Sequence, residues 1–307
     1  MHDSVRSRIH WVRQSRDMTG WAFAALMIAN ICLAFGPWLV RLADVGPVAV
    51  GFWRLALAAP LLLLLTRAAG QPMPRGRVRL WVILFLAGLF FAADLACWHA
   101  GILHTRLANA ALFGTSSGLM FPLYGFIIAR RLPDRYQSAA LLLAGVGATL
   151  LLARSYELSS RYLLGDLLCL GAGLFYTAYL IAIERARGHL AALPTIAFAS
   201  LFGAAPMLVC AIAFGERIIP DVWWPLLVLA ISSQVVGQGL MVFAIGYLSP
   251  LVVGLTFLLQ PLVAAAIGWL AYAEALNVAD MIGAVAIGIA LVLVRRPTPA
   301  RSPLPQN

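Results

Sequence analysis

Two charged side chains, Arg54 and Asp94, stand inside otherwise apolar runs, and they are the sharpest chemical signal in the chain. A lone charge at the centre of a bilayer costs about 2.5–3.5 kcal/mol even on the forgiving insertion scale, so such residues pair or work. Arg54 lies seven residues after Pro47, roughly 10 Å into its run at about 1.5 Å per residue. Asp94 lies six residues before Ala100 at the end of the next run, at a matching depth of roughly 9 Å. The two could form an ion pair that staples neighbouring helices, act as a gate or proton-coupling pair, or never meet. His99 follows Asp94 and reads as an interfacial histidine or as a proton relay to that carboxylate.

Uncharged polar groups suit a neutral or zwitterionic solute. Gln234 and Gln238 are four apart and share a helix face, with Ser232 and Ser233 beside them. Asn30, Thr115, Ser116, Ser117 and Gln260 stand in other apolar runs. Hydrogen bonding between helices is the plain alternative for each. Trp98, Tyr176, Tyr179 and Trp269 add aromatic faces, and Tyr176 falls mid-run, away from the interfacial belts. An apolar site with a few convergent polar groups fits small amphipathic ligands. Pro122 and Pro261 interrupt their runs and are candidate hinges.

Other chemistry is poorly served. Residues 114–118 read GTSSG, the pattern of a serine-hydrolase nucleophile, with His99 or His104 as conceivable bases. That pattern needs a strand–turn–helix elbow, whereas here it falls in an apolar run, where Gly114 and Gly118 read as a packing face. No HExxH, Walker A or dinucleotide fingerprint occurs, so neither an enzyme nor an ATP-driven pump is expected. No cofactor or metal is expected. Cys32, Cys97, Cys169 and Cys210 lack metal-type spacing and read as free thiols in apolar surroundings. Asp166 and Asp280 stand at the starts of runs and read as helix caps.

The elements that hold these groups follow from composition. The chain is 62% apolar and 11% charged, against about 25% charged for a soluble domain. So little charge cannot cover a water-facing surface, and lipid is the expected solvent. Crossing a hydrocarbon core of roughly 30 Å takes about 20 helical residues. Ten runs qualify: 21–40, 47–65, 80–100, 107–129, 136–153, 163–183, 196–214, 222–245, 251–272 and 278–294. They are long and uniformly apolar rather than short and alternating, so they read as helices and not barrel strands. The net charge of +10 comes from 22 arginines scattered in the connections. That distribution sets orientation and makes no nucleic-acid surface. With the N-terminus inside, 16 arginines face the cytoplasm and 5 face outward, placing both termini in the cytoplasm of a bacterial-type inner membrane. Residues 1–18 and 297–307 are then cytoplasmic tails, the first leading into a retained signal-anchor helix.

The chain also repeats. Gly20 recurs as Gly165, Pro60 as Pro206, Ala100 as Ala244, Leu107 as Leu251 and Gly145 as Gly288, all at offsets of 143–146 residues. Two five-helix repeats, 19–155 and 160–296, follow. An odd helix number inverts the second repeat relative to the first, a plan that places a substrate site near mid-membrane between the halves.

These repeats resemble the EamA-type branch of the drug/metabolite transporter superfamily. The likeness rests on LPDRYQSAALLLAGVGATLLL at 132–152 and GWLAYAEALNVADMIGAVAIGIALVLV at 268–294. Glu274, Gly283 and Gly288 stand at the family's positions in the second copy, whereas the first has Arg131 for the acidic residue and Ala140 for the first glycine. Within that branch the chain is most similar to YddG-type exporters of aromatic and other neutral amino acids. The resemblance implies ten helices around a central cavity lined by the first, third, fourth, sixth, eighth and ninth. The expected function is export of small metabolites, foremost amino acids, by alternating access. The alternatives are proton-coupled efflux of drugs or other metabolites and, more remotely, a non-transporting membrane protein such as a hydrolase. Expected partners are the small solute and the lipid bilayer, with no nucleic acid and no obligate protein partner.

Overall fold

The computed structural model describes residues 2–76, 78–105, 113–153, 161–263, 266 and 278–294. Among these every regular element is helical, as lipid requires of a chain that must satisfy each backbone amide within its own segment. The first run forms α1 (His2–Ala34) and α2 (Gly36–Leu42). They break at Phe35, and Pro37 occupies the first turn of α2, where its missing N–H costs nothing. Then come α3 (Pro47–Ala68), α4 (Val78–His104), α5 (Ser117–Ile128), α6 (Arg135–Ala153), α7 (Leu163–Arg187) and α8 (Ala192–Ala213).

The eighth run is not uniform. It opens as α9 (Trp224–Leu229), widens into a π-helical stretch (Ala230–Gln238) and resumes as α10 (Gly239–Ile245). α11 (Pro250–Thr256) and α12 (Val278–Leu293) complete the described helices. Glu274 and Trp269 lie outside the described residues, as do most of the ninth run beyond residue 263, the start of the fourth, and the side chain of Asp280.

Among the described residues six helices are long and apolar enough to cross a membrane: Met18–Leu42, Pro47–Ala68, Val78–Gly101, Leu163–Arg187, Ala192–Ala213 and Trp224–Ile245. Ser117–Ile128, Pro250–Val263 and Met281–Leu293 are shorter and also apolar. The chain is thus a multi-pass membrane protein, and the described residues carry six full spans of the ten expected. Large apolar side chains such as Leu64, Leu142, Val209 and Val285 are exposed on the outside of the bundle, as a lipid-facing surface demands.

Helix ends share one device. α3 stops with the Gly70 N–H on the Arg67 carbonyl and the Gln71 N–H on the Thr66 carbonyl. α8 stops the same way, from Gly215 to Ile212 and from Glu216 to Ala211. Both glycines are left-handed, with φ of 62° and 66°. Such paired bonds satisfy carbonyls that the helix itself leaves open.

The broadest contacts join the first half of the chain to the second. α3 packs along α8, α4 lies against both α7 and α8, α5 meets α11, α6 meets α12, and α1 meets the π stretch and α10. The α4–α8 seam brings backbones together: a Cβ on Gly88 would stand 2.7 Å from the Ala199 carbonyl oxygen and 2.8 Å from the Gly203 nitrogen. Small residues permit this approach in lipid, where packing replaces the hydrophobic drive between helices.

Between α2 and α3 the chain is tied to the segment after α8. Glu216 accepts the Val48 and Ala49 N–H groups at the start of α3, at 3.2 and 2.8 Å. The Gly46 N–H reaches the Arg217 carbonyl, and the Trp53 indole N–H donates to the Ile218 carbonyl at 2.6 Å. Asp44 Oδ2 accepts the Asp221 and Val222 N–H groups. Those bonds, Asp221 foremost, with Arg217 adding its charge, hold the Asp44 carboxyl below the usual carboxylate range.

Candidate functional site

The helices enclose a cavity of about 230 Å³. Arg54 reaches it from α3, Asp94, Trp98 and His99 from α4, and Tyr176 from α7. Thr115 and Ser117 enter at the start of α5, Gln238 from the end of the π stretch, and Gln260 and Pro261 from the segment after α11. Ten of the expected site residues therefore line one space. The second run contributes as well, through Val50, Gly51 and Arg54, although the resemblance left it out of the lining.

Arg54 and Asp94 do not meet as an ion pair: none within 4 Å joins them, and Arg217–Asp221 in the connection before α9 is the pair formed among the described residues. Arg54 turns to the π stretch instead. Its Nε donates to Gln234 Oε1 at 2.9 Å, and its guanidinium carbon lies 5.5 Å from the centroid of the Phe91 ring, a cation–π contact. Gln234 Nε2 donates to Ser200 Oγ on α8 at 2.9 Å. Gln234 is fully buried, so it stands behind the cavity wall rather than in it.

A second network holds the aromatic side. The Gln238 amide donates to the Tyr176 hydroxyl at 3.1 Å and accepts from the Tyr179 hydroxyl at 3.4 Å. Tyr179 is fully buried and stacks on Phe91 with centroids 4.6 Å apart. Tyr176 faces Phe257 at 5.6 Å, and both line the cavity. The third network sits behind Gln260, whose amide donates to Asn30 Oδ1 at 2.9 Å. Asn30 in turn donates to Thr256 Oγ1 and to the Leu26 carbonyl. Asn30 and Tyr179 thus act through neighbours.

The remaining expectations separate. Ser116 is packed against Gly173 and Ser233 near Gly36, each with a buried hydroxyl that finds no partner. Pro122 is wedged against Gly254, where a Cβ would stand 2.5 Å from its Cδ. His99 is 4% exposed and so is buried within the bundle, with Nδ1 unpartnered. Residues 115 and 116 form a turn ahead of α5, where a continuous helix was expected, and no strand leads into it. Hydroxyl side chains that compete for backbone bonds favour such a break. Among the described residues this segment therefore forms no strand–turn–helix elbow. Asp166 sits in the first turn of α7, where an acidic side chain was expected, and Thr105 donates to its Oδ1 at 2.5 Å.

Sequence reasoning missed Phe91, Phe257, Gly51 and Ser200. The first two look like any apolar aromatic in a lipid-facing run. Gly51 was legible only as a small residue, and here it lets Met207 and His99 close on α3.

Residues 163–296 match the EamA-like transporter family. The match covers a little under half of the chain. The match supports placement in the drug/metabolite transporter superfamily, a group of carriers of small solutes rather than enzymes. A solved structure, titled only as the crystal structure of a protein, superposes on 90% of this chain and 97% of its own with a TM-score of 0.74. At 20% identity it speaks for the fold alone. A search of curated proteins finds no match. The EamA-like half supplies α7, the π stretch and Gln260, so it furnishes much of the cavity wall.

Proposed function

We propose that the protein is a secondary transporter that exports small metabolites, foremost aromatic and other neutral amino acids, across an inner membrane by alternating access. The observation that carries this reading is the cavity. An arginine and an aspartate face a small space without forming an ion pair with each other, beside aromatic rings from α4, α7 and the residue after α11. A zwitterion with an apolar side chain complements all three features.

The cavity also weighs against large substrates. Pockets for drug-sized ligands run to roughly 300–1,000 Å³, and this one is smaller, at about 230 Å³. Efflux of drug-like cations has one favourable feature, Asp94, and it is opposed by Arg54 in the same space.

The halves are proposed as inverted repeats of 19–155 and 160–296, with both termini in the cytoplasm. Support comes from the recurring helix stop at Gly70 and Gly215 and from contacts that run from half to half. Pro122 and Pro261 are the proposed hinges. Coupling is either downhill or in exchange for protons at Asp94, with His99 adjacent.

The cavity is tested as the binding site by substrate protection. In a background without the four native cysteines, Thr115→Cys is labelled with a small thiol reagent in the presence of phenylalanine, methionine, threonine or a drug-like cation. Protection by the amino acids alone is expected. Protection by the cation alone would replace the amino-acid reading with drug efflux.

A further inference from the structure

We propose that Arg54 is the anchor for the substrate carboxylate and that Gln234 is the residue that aims it. The inference rests on the amino-acid reading of the cavity and assigns that substrate an orientation within it.

Arg54 cannot swing freely. Its Nε is committed to Gln234 Oε1, and the flat guanidinium lies over Phe91. The Gln234 amide is itself fixed, because Arg54 offers only donors and so must meet the oxygen, while the amide nitrogen is taken by Ser200. Three helical elements thereby lock one guanidinium: α3 carries it, the π stretch holds its Nε, and α8 holds the holder. The π stretch matters here. Its wider turn carries Gln234 towards Arg54 and Gln238 towards the tyrosines, and local π geometry of this kind recurs at functional sites.

Among the described residues the hydrogen bond that Arg54 makes is the one from Nε, and Arg54 lines the cavity. Asp94 lines the same cavity and lies beyond ion-pair distance. A guanidinium with Nε occupied still presents paired N–H groups, the geometry that grips a carboxylate through two parallel bonds. A bound zwitterion then sets its carboxylate on Arg54 and its ammonium towards Asp94. Its side chain falls among Phe91, Tyr176 and Phe257. Arg54 and Asp94 make no direct ion pair with each other, so a molecule that carries both groups supplies a contact partner to each, and binding favours such molecules.

The test is counterflow of labelled phenylalanine in liposomes holding the purified protein, with three unlabelled competitors. These are phenylalanine, phenethylamine (no carboxylate) and 3-phenylpropionate (no ammonium). In the wild type both analogues should compete at least tenfold more weakly than phenylalanine. Arg54→Gln should weaken phenylalanine tenfold or more and leave phenethylamine unchanged, so that the preference collapses. Gln234→Glu, nearly isosteric, sets a carboxylate against Arg54 and should give the same collapse by occupying the anchor, with the thermal midpoint retained. If Arg54→Gln fails to fold, Gln234→Glu carries the prediction. Equal weakening of all competitors, or a preference that survives in Gln234→Glu, would overturn the anchor while the amino-acid reading stood. Absence of phenylalanine counterflow in the wild type would instead overturn that reading, and the anchor with it.

Discussion

Residues at this cavity divide into those that line it and those that hold the lining in place. Asp94 belongs to the first group, and its mutation separates binding from coupling. If the carrier exchanges solute for protons there, Asp94→Asn should abolish the response of transport to a pH gradient and preserve solute exchange. PH dependence that persists in that variant removes Asp94 from coupling. Gln238 belongs to the second group, since one amide serves two tyrosine hydroxyls. Gln238→Leu should cost about 1–3 kcal/mol by leaving buried hydroxyls without partners. Adding Tyr179→Phe should restore part of that loss in thermal or chemical unfolding, and a strictly additive double variant would refute the shared role. At this scale the sequence marked the polar members well, because an amide or a charge in a lipid-immersed run has to be accounted for. Phe91 was invisible for the opposite reason: nothing in its type separates a ring under a guanidinium from a ring in lipid. The Arg54–Asp94 ion pair, one of the expected outcomes, is not formed, and a third group takes the Arg54 Nε. Depth along two helices says nothing about Gln234, which lies 180 residues away from Arg54 and outcompetes Asp94 for its Nε.

Among the elements, the seam between α4 and α8 is the most demanding. Gly88 and Gly203 face each other there, and a Cβ on Gly88 would press on backbone atoms, which cannot rotate away. Gly88→Ala should therefore destabilise the protein by about 1–3 kcal/mol, the usual cost of overpacking. An unchanged midpoint in detergent would show that the seam is looser than described. Helices were the easiest feature to read, since long apolar runs between Pro, Gly and Arg clusters leave a membrane chain few options. Departures within them were not readable. The π stretch at 230–238 has no sequence signal of its own, and the turn at 115–116 hid inside a run whose hydropathy never dips.

For the whole molecule, the connections beyond α2 and α8 bind the halves at one end of the bundle through Asp44, Glu216 and their amide donors. Asp44 is held below its ordinary range by amide donors, so its folded form favours the carboxylate. Its contribution is complete above the unfolded value of about 3.9 and is lost as the pH falls through the lower folded value. Asp44→Ala should lower the unfolding midpoint at pH 7, and that gap to wild type should narrow towards pH 3. A gap independent of pH would assign the effect to packing rather than charge. The membrane class was legible from composition alone. Of the ten expected runs, the described residues carry six spans and three shorter apolar helices.

The central claim is that amino acids cross the membrane through this protein. The most direct measurement is flux of labelled phenylalanine, methionine and threonine into liposomes that hold only this chain, each with and without a pH gradient. The account expects saturable uptake that unlabelled amino acid competes away, with any effect of the gradient identifying proton exchange. Flux no greater than that of empty liposomes, from protein shown to be folded, would contradict it.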